Sequence, residues 1–311
     1  MNKELEQVIN KANIKLSELE SEVLEQFDLP EKPVFFVVGA PRSGTTVLLQ
    51  TIIEYYNIGY INNFIAKFWE APVVGATIFQ SMNLKPEKQS FVSDSGFTTG
   101  INGPHEFGYF WKRFFKYGDS HQIKESDYSS INSKLLNKEI AGLEYVLKKP
   151  MIFKNPPALS FQIRFFSKYV PNAHFIYIKR DPKFIAQSIY LKRKQIYQDL
   201  KHWYSTKPVE YNRLKLEDPI KQIIGQVFYS NQKIESDLSW IPDTNKTIID
   251  YEVFCKNPID SINSCNKLME LMISNKPSES DPLTFEIKDK ILVEEQIWDS
   301  FGTEFDKLKK G

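Results

Sequence analysis

The segment PVFFVVGAPRSGTTVLLQTI, residues 33–52, constrains the fold of this chain more than any other stretch. It begins with an apolar run typical of a buried strand, turns through residues 39–44, and continues into an apolar helical pattern. A strand, a glycine loop and a helix in this order direct backbone N–H groups and the positive end of the helix dipole at an anion. The segment therefore predicts an α/β fold with a phosphate-binding loop.

The loop lacks the lysine that a nucleotide triphosphatase carries directly after the second glycine. Thr45 stands at that position, and the nearest cation is Arg42. Because the cation, the hydroxyl groups and the backbone all supply donors, we expect an anion here. The residues predicted to bind it are Pro41, Arg42, Ser43, Gly44, Thr45 and Thr46. The alternative interpretation is a simple glycine-proline turn before a capped helix.

The rest of the chain alternates between short apolar runs and helical patterns. The predicted elements are helices at about 1–30, 130–148, from 157, from 182 and at 258–272, and strands at 34–38, 151–154, 175–178 and 247–250. This βαβα alternation favours a parallel sheet with helices on both faces. We expect one domain over residues 1–311, with an N-terminal helix at about 1–30 before a catalytic core at about 33–311.

Charge and composition exclude several classes of function. The 40 Lys and Arg nearly balance the 39 Asp and Glu, which argues against nucleic acid or a membrane surface as partner. Two cysteines and four scattered histidines do not form a disulfide framework or a metal-ligand spacing. No signal peptide and no apolar run of about 18 residues is present, so we expect a cytoplasmic protein without a membrane span or a metal.

A second candidate anion site lies in IYIKRDPKFIAQS. Arg180 ends a predicted strand, Asp181 and Pro182 fit the start of a helix, and Ser188 follows within two turns. Open α/β sheets bind ligands beyond the carboxyl ends of their strands, where this arginine and hydroxyl would converge. Alone, an arginine such as Arg180 is more often the partner of a surface carboxylate. Paired with the first loop, it predicts a ligand with phosphates at both ends.

PRSGTT and RDPKFIAQS resemble the two nucleotide-binding motifs of sulfotransferases that use 3′-phosphoadenosine 5′-phosphosulfate (PAPS). FKNPP and DYEVFCKNPIDSINSCNKLMEL also resemble family segments, and the similarity spans roughly residues 33–272. Arginine in the loop is similar to the bacterial and tyrosylprotein-type members. The resemblance implies a P-loop NTPase-like sulfotransferase fold, with PAPS as donor and no metal.

The resemblance also implies roles for individual residues. The first motif would hold the 5′-phosphosulfate, with Arg42 stabilising the leaving phosphate, while Arg180 and Ser188 would hold the 3′-phosphate. The sulfuryl group would pass to a hydroxyl or amine of an acceptor, which is a small molecule, a carbohydrate, a lipid or a peptide. The sequence identifies neither the acceptor nor the oligomeric state.

The general base of the family is missing from both of its usual places. Residues 154–157 read KNPP where cytosolic members have a histidine, and Asn62 and Asn63 stand near the glutamate position of tyrosylprotein members. NGPHEFGYFW offers Glu106, and secondarily His105, because a carboxylate among aromatic rings would act as a base near neutral pH. Glu70 is a further alternative.

Aromatic residues crowd positions 107–117, where they would either line an acceptor pocket or form core. Two other functions remain open from the residues alone. The first is a small-molecule kinase that uses ATP and Mg²⁺, which the missing loop lysine disfavours. The second is a non-enzymatic nucleotide-binding module, which the missing base allows.

Overall fold

The computed structural model of the protein describes residues 3–84, 89–91, 93–94, 96–272 and 283–310. The strands in these ranges are β1 (Val34–Val38), β2 (Gly59–Tyr60), β3 (Ser93–Asp94), β4 (Phe97–Thr98), β5 (Met151–Lys154), β6 (Ala173–Lys179) and β7 (Lys246–Asp250). The α-helices are α1 (Lys3–Val23), α2 (Thr45–Tyr55), α3 (Pro72–Ser81), α4 (Gly108–Phe114), α5 (Ser133–Leu147), α6 (Pro156–Leu159), α7 (Ile163–Tyr169), α8 (Pro182–Tyr197), α9 (Tyr211–Leu214), α10 (Pro219–Leu238), α11 (Tyr251–Lys256), α12 (Pro258–Asn263), α13 (Asn266–Met269) and α14 (Glu295–Lys310).

Five strands form one parallel sheet in the order β2-β5-β1-β6-β7. The register pairs Val37 of β1 with Lys154 of β5, and Val38 of β1 with Tyr177 of β6. The carboxyl ends of the three central strands therefore lie side by side. This places the loop after β1, the end of β5 and the segment after β6 at one edge of the sheet, where open α/β sheets bind ligands.

Helices cover both faces of this sheet, which confirms the predicted fold class. Every residue of β1 is buried, and alternate side chains point to opposite faces. Phe36 belongs to the core on the side of α3, α4, α5 and α7, whereas Phe35 belongs to the core on the side of α2, α11, α12 and α13. A third cluster joins α8, α10 and α14. The division into a single domain stays a prediction.

Two predicted helices are wrong, because each is two short helices. The helix expected from residue 157 is interrupted between α6 and α7, where the Ser160 hydroxyl accepts from the Gly39 N–H (3.1 Å) and donates to the Gly39 carbonyl (2.9 Å). The helix expected at 258–272 is interrupted before α13 at Cys265, which has an extended backbone and an Sγ 3.3 Å from Nε2 of His174. Both interruptions attach the chain to the central strands.

Candidate active site

The loop after β1 is shaped by two residues in the left-handed backbone region. Arg42 has φ 72° and Gly44 has φ 102°. A Cβ at Gly44 would lie 2.6 Å from the ring of Tyr251, so only glycine fits against that ring. Gly44 offers no side chain to the first N–H groups of α2, an eleven-residue helix. The first N–H groups of α2 therefore have no side-chain cap, as the predicted anion site requires.

The two sequence motifs meet in the structure. The Nε of Arg42 donates to the hydroxyl of Ser188 at 3.0 Å, and Nη1 of Arg180 donates to the Arg42 carbonyl at 2.9 Å. The guanidinium of Arg180 lies 4.5 Å from the ring centroid of Tyr251. Asp181 caps α8 by accepting from the N–H of Lys183. The sequence predicts that the two motifs meet, because both follow the carboxyl ends of parallel strands.

Residues 283–293, which we call the C-terminal strap, run across this site without regular secondary structure. Nη2 of Arg180 donates to the carbonyl of Lys288 (2.5 Å), and the Gln187 side chain accepts from the N–H of Leu292 (2.7 Å). Arg180 thus holds the loop and the strap together through two backbone carbonyls. The strap was missed in the sequence, because backbone acceptors leave no residue signature.

A cavity of about 490 Å³ opens beside the loop. Seven of the predicted site residues line it: Pro41, Arg42, Gly44, Thr45, Thr46, Glu106 and Arg180. Ser43, Ser188 and His105 are not among its described lining residues. Ser43 is buried, whereas Ser188 is half-buried and is connected to the cavity through its contact with Arg42.

An ion pair stands on the wall of the cavity at the end of β5. The Nζ of Lys154 lies 2.5 Å from Oε1 of Glu106, with side-chain exposures of 2% and 35%. Asn155, which caps α6, donates to the Glu106 carbonyl at 2.9 Å. The sequence does not predict this pairing of the Glu106 carboxylate with a buried lysine. The KNPP segment, residues 154–157, holds Glu106 in place through Lys154 and Asn155.

The two other candidate bases lie elsewhere. Nδ1 of His105 accepts from the N–H of Phe107 at 2.9 Å, and burial lowers the pKa of this histidine. His105 therefore shapes the turn that presents its neighbour. Glu70 forms an ion pair with Nε of Arg113 at 2.8 Å and is not among the described lining residues.

Five of the seven aromatic side chains in segment 107–117 are buried, and none of its residues is among those that line the cavity. Phe107 and Phe110 stack at 4.4 Å, and both are buried with Trp111. Of the two alternatives for this segment, acceptor pocket or core, the structure supports the core. The described aromatic residues that do line the cavity are Phe91, Phe97, Tyr204, Tyr251 and Phe285. They come from separate parts of the chain, so no local sequence pattern predicts that they line one cavity.

The structure defines an α/β protein with a P-loop NTPase-like fold and a cavity at the carboxyl edge of its sheet. The model of the family described as "Sulfotransferase family" matches residues 33–272. The chain belongs to this family, which supports a transferase activity.

One solved structure agrees with this fold. Sulfotransferase STF9 from Mycobacterium avium is 16% identical, with a TM-score of 0.54 over 95% of this chain and 72% of that one. Sulfotransferase STF1 from Mycobacterium tuberculosis H37Rv is 12% identical, with a TM-score of 0.47 over 96% of this chain and 81% of that one. No curated protein sequence matches the chain. None of the helices in the described ranges is long and apolar enough to cross a membrane.

Proposed function

We propose that the protein transfers a sulfuryl group from PAPS to a hydroxyl or amine of an acceptor. The observation that carries this proposal is the contact between Arg42 and Ser188, which joins the two motifs beside one cavity. The same cavity is lined by the pair formed by Lys154 and Glu106. A donor with phosphates at both ends and an acceptor hydroxyl would thus meet in one space.

The residues present suit this donor. The cavity is lined by four cationic side chains, those of Arg42, Lys154, Arg180 and Lys288. The buried Nε of Arg180, a residue that lines the cavity, has no hydrogen-bond partner among the described residues. Buried polar atoms of this kind usually find a partner, which an anionic ligand would supply. The absent loop lysine favours this donor over ATP with Mg²⁺.

The proposed reaction uses residues of both motifs. When bound, PAPS supplies an activated sulfuryl group on a phosphate that can leave. The acceptor oxygen forms a bond to sulfur as the bond from sulfur to the bridging phosphate oxygen breaks, and the electron pair stays on the phosphate. Arg42 stabilises the charge that develops there, as preorganised donors do in other enzymes. Arg180 and Ser188 hold the 3′-phosphate end of the donor.

Glu106 takes the proton from the acceptor. Its carboxylate is partly exposed on the cavity wall, within reach of an acceptor that approaches the loop. Lys154 holds this carboxylate in place through the 2.5 Å contact, and its buried charge also stabilises negative charge at the sulfuryl group.

Incubation with PAPS that is radiolabelled in its sulfuryl group tests the proposal. We expect the label to appear in at least one hydroxyl or amine compound from a panel of phenols, sugars, lipids and peptides. The amount of adenosine 3′,5′-bisphosphate released should equal the amount of label transferred, mole for mole. Binding of the bisphosphate without transfer of label to any compound would contradict the proposed transferase activity and support a nucleotide-binding module.

Ser188→Ala is expected to weaken adenosine 3′,5′-bisphosphate about tenfold, since a hydrogen bond to a charged group is worth about 1.5–3 kcal/mol. Adenosine 5′-phosphate, which lacks the 3′-phosphate, should bind almost as before. Calorimetric titration of both nucleotides measures the discrimination. Ser300→Ala, an exposed hydroxyl on α14, is the matched control. Equal loss for both nucleotides would place the 3′-phosphate elsewhere.

A further inference from the structure

The hairpin of β3 and β4 lies against the ion pair of Glu106 and Lys154. Gly96, which lies between the two strands and lines the cavity, has φ 93°. A Cβ built on Gly96 would lie 2.7 Å from Oε1 of Glu106 and 3.3 Å from Nζ of Lys154. Glycine therefore allows the hairpin backbone to approach this carboxylate more closely than a residue with a Cβ could.

The end of β2 and the segment that follows it hold the hairpin in place. The side-chain Nδ2 of Asn63 donates to the carbonyls of Thr98 (3.0 Å) and Gly100 (2.7 Å). The hydroxyl of Tyr60 donates to the carbonyl of Asn102 at 2.9 Å. The chain from β4 onward is thus bonded through its backbone to two side chains of one short segment.

The same segment also holds the turn that precedes Glu106. The backbone N–H of His105 donates to the carbonyl of Ile61 at 2.8 Å, and the backbone N–H of Asn63 donates to the carbonyl of Gly103 at 2.9 Å. The segment is attached to β5 in turn, because β2 pairs with β5. Since β5 also carries the lysine of the ion pair, the carboxylate, the lysine and the hairpin are all fixed to one pair of strands.

A fixed backbone beside a carboxylate determines where that carboxylate can point. The hairpin fills the space next to Oε1 of Glu106, so it limits how far this side chain can turn away from Lys154. A general base acts only when its oxygen lies within hydrogen-bond reach of the proton that it removes. A displacement of about 1 Å at a reacting group can lower a rate about 10²-fold. The position of the hairpin therefore bears directly on the rate of transfer.

We propose that Gly96 and Asn63 are positioning residues of the sulfuryl transfer. Gly96 brings the hairpin backbone against Oε1 of Glu106, and Asn63 keeps the hairpin there through its two hydrogen bonds. The carboxylate is held between the hairpin and Lys154, in the orientation from which it takes the acceptor proton. This inference rests on the proposed function and assigns the residues that orient its base.

Gly96→Ala tests the inference most directly. The added Cβ would lie 2.7 Å from Oε1 of Glu106, which is the end of a flexible side chain, so the variant should fold with a displaced carboxylate. We expect the rate of transfer to fall about 10²-fold, while the affinity for adenosine 3′,5′-bisphosphate stays almost unchanged.

Gly100→Ala is the matched variant for Gly96→Ala. Gly100 has φ 79°, and a Cβ built on it has no heavy atom of the described residues within 4 Å. Gly100→Ala thus introduces the same kind of backbone strain without a contact to the ion pair. Its loss of rate should be at least about tenfold smaller than that of Gly96→Ala. Equal losses in the two variants would overturn the inference.

Asn63→Ala gives an independent readout, because it leaves Gly96 in place. The rate should fall about tenfold as two hydrogen bonds to the hairpin are lost, with binding of the bisphosphate again kept. Asn212→Ala removes an exposed asparagine that bonds to Asp119 and is not among the described lining residues, so it should leave the rate unchanged. An unchanged rate in Asn63→Ala would overturn the inference.

A double-mutant cycle with Glu106→Gln separates positioning from a general structural role. In the Glu106→Gln background, neither Gly96→Ala nor Asn63→Ala should lower the rate further, since the base that they orient is already gone. Losses that multiply in this background would overturn the inference.

All rates are single-turnover rates with radiolabelled PAPS. The acceptor is whichever of phenol, methyl glucoside, 1-octanol and N-acetyltyrosine amide the wild-type protein labels fastest. Transfer by the wild-type protein together with losses that multiply would keep the proposed function and overturn the positioning role. Transfer to none of the compounds would overturn both.

Discussion

Replacement of Arg42 by alanine should lower kcat about 10²–10³-fold, as loss of one transition-state donor does in other enzymes. The loss should be smaller in the affinity for adenosine 3′,5′-bisphosphate, because charge on the leaving oxygen develops fully only during transfer. Arg42 suits this role, since it lines the cavity and is oriented by Ser188. Single-turnover rates and calorimetric titration of the bisphosphate measure the two effects separately.

Arg213→Ala is the matched control for this variant. Arg213 is exposed, bonds to the hydroxyl of Tyr229, and is not among the described residues of the cavity. The Arg213→Ala variant should leave both kcat and the affinity for adenosine 3′,5′-bisphosphate unchanged. If Arg42→Ala weakened the bisphosphate as strongly as it lowered kcat, the arginine would serve binding and not the transition state.

Glu106→Gln should lower kcat on the order of 10²-fold or more, because it keeps the shape of the side chain and removes the base. The affinity for the bisphosphate should change little. The loss should shrink as the acceptor hydroxyl becomes more acidic, since such acceptors need less help to release a proton. A series of phenols of graded acidity measures this dependence.

The ion pair complicates Glu106→Gln, since the variant leaves Lys154 buried with a neutral partner. Lys154→Met, and the double variant with Glu106→Gln, separate the two effects through a double-mutant cycle. Only Glu106 should make the rate depend on acceptor acidity. Wild-type turnover of an alcohol by Glu106→Gln would contradict the role of this residue, and His105→Asn and Glu70→Gln would then be tested.

Local signals in the sequence predict the scaffold of the site. The apolar run of β1, the glycine loop, and the Asp181–Pro182 start of α8 are each encoded by adjacent residues. The parallel sheet then brings the loop and Arg180 together, because the carboxyl ends of its strands share an edge. The meeting of the two motifs could therefore be predicted without knowledge of side-chain positions.

The remaining features depend on contacts between distant segments. The C-terminal strap is held through its backbone by Arg180 and Gln187, and such contacts have no residue pattern. The ion pair of Glu106 with Lys154 joins residues from two separate segments. The aromatic run 107–117 was ambiguous because a buried ring is equally apolar in a pocket and in a core. In the structure, most of these rings are buried in the core.

Titration of the protein with adenosine 3′,5′-bisphosphate, adenosine 5′-phosphate and ATP with Mg²⁺ tests the central claim most directly. The account predicts that the bisphosphate binds at least about tenfold more tightly than the monophosphate, because its 3′-phosphate forms additional hydrogen bonds with the protein. It also predicts that Mg²⁺ does not enhance the binding. Tight binding of ATP with Mg²⁺ and none of the bisphosphate would contradict the account and favour a kinase.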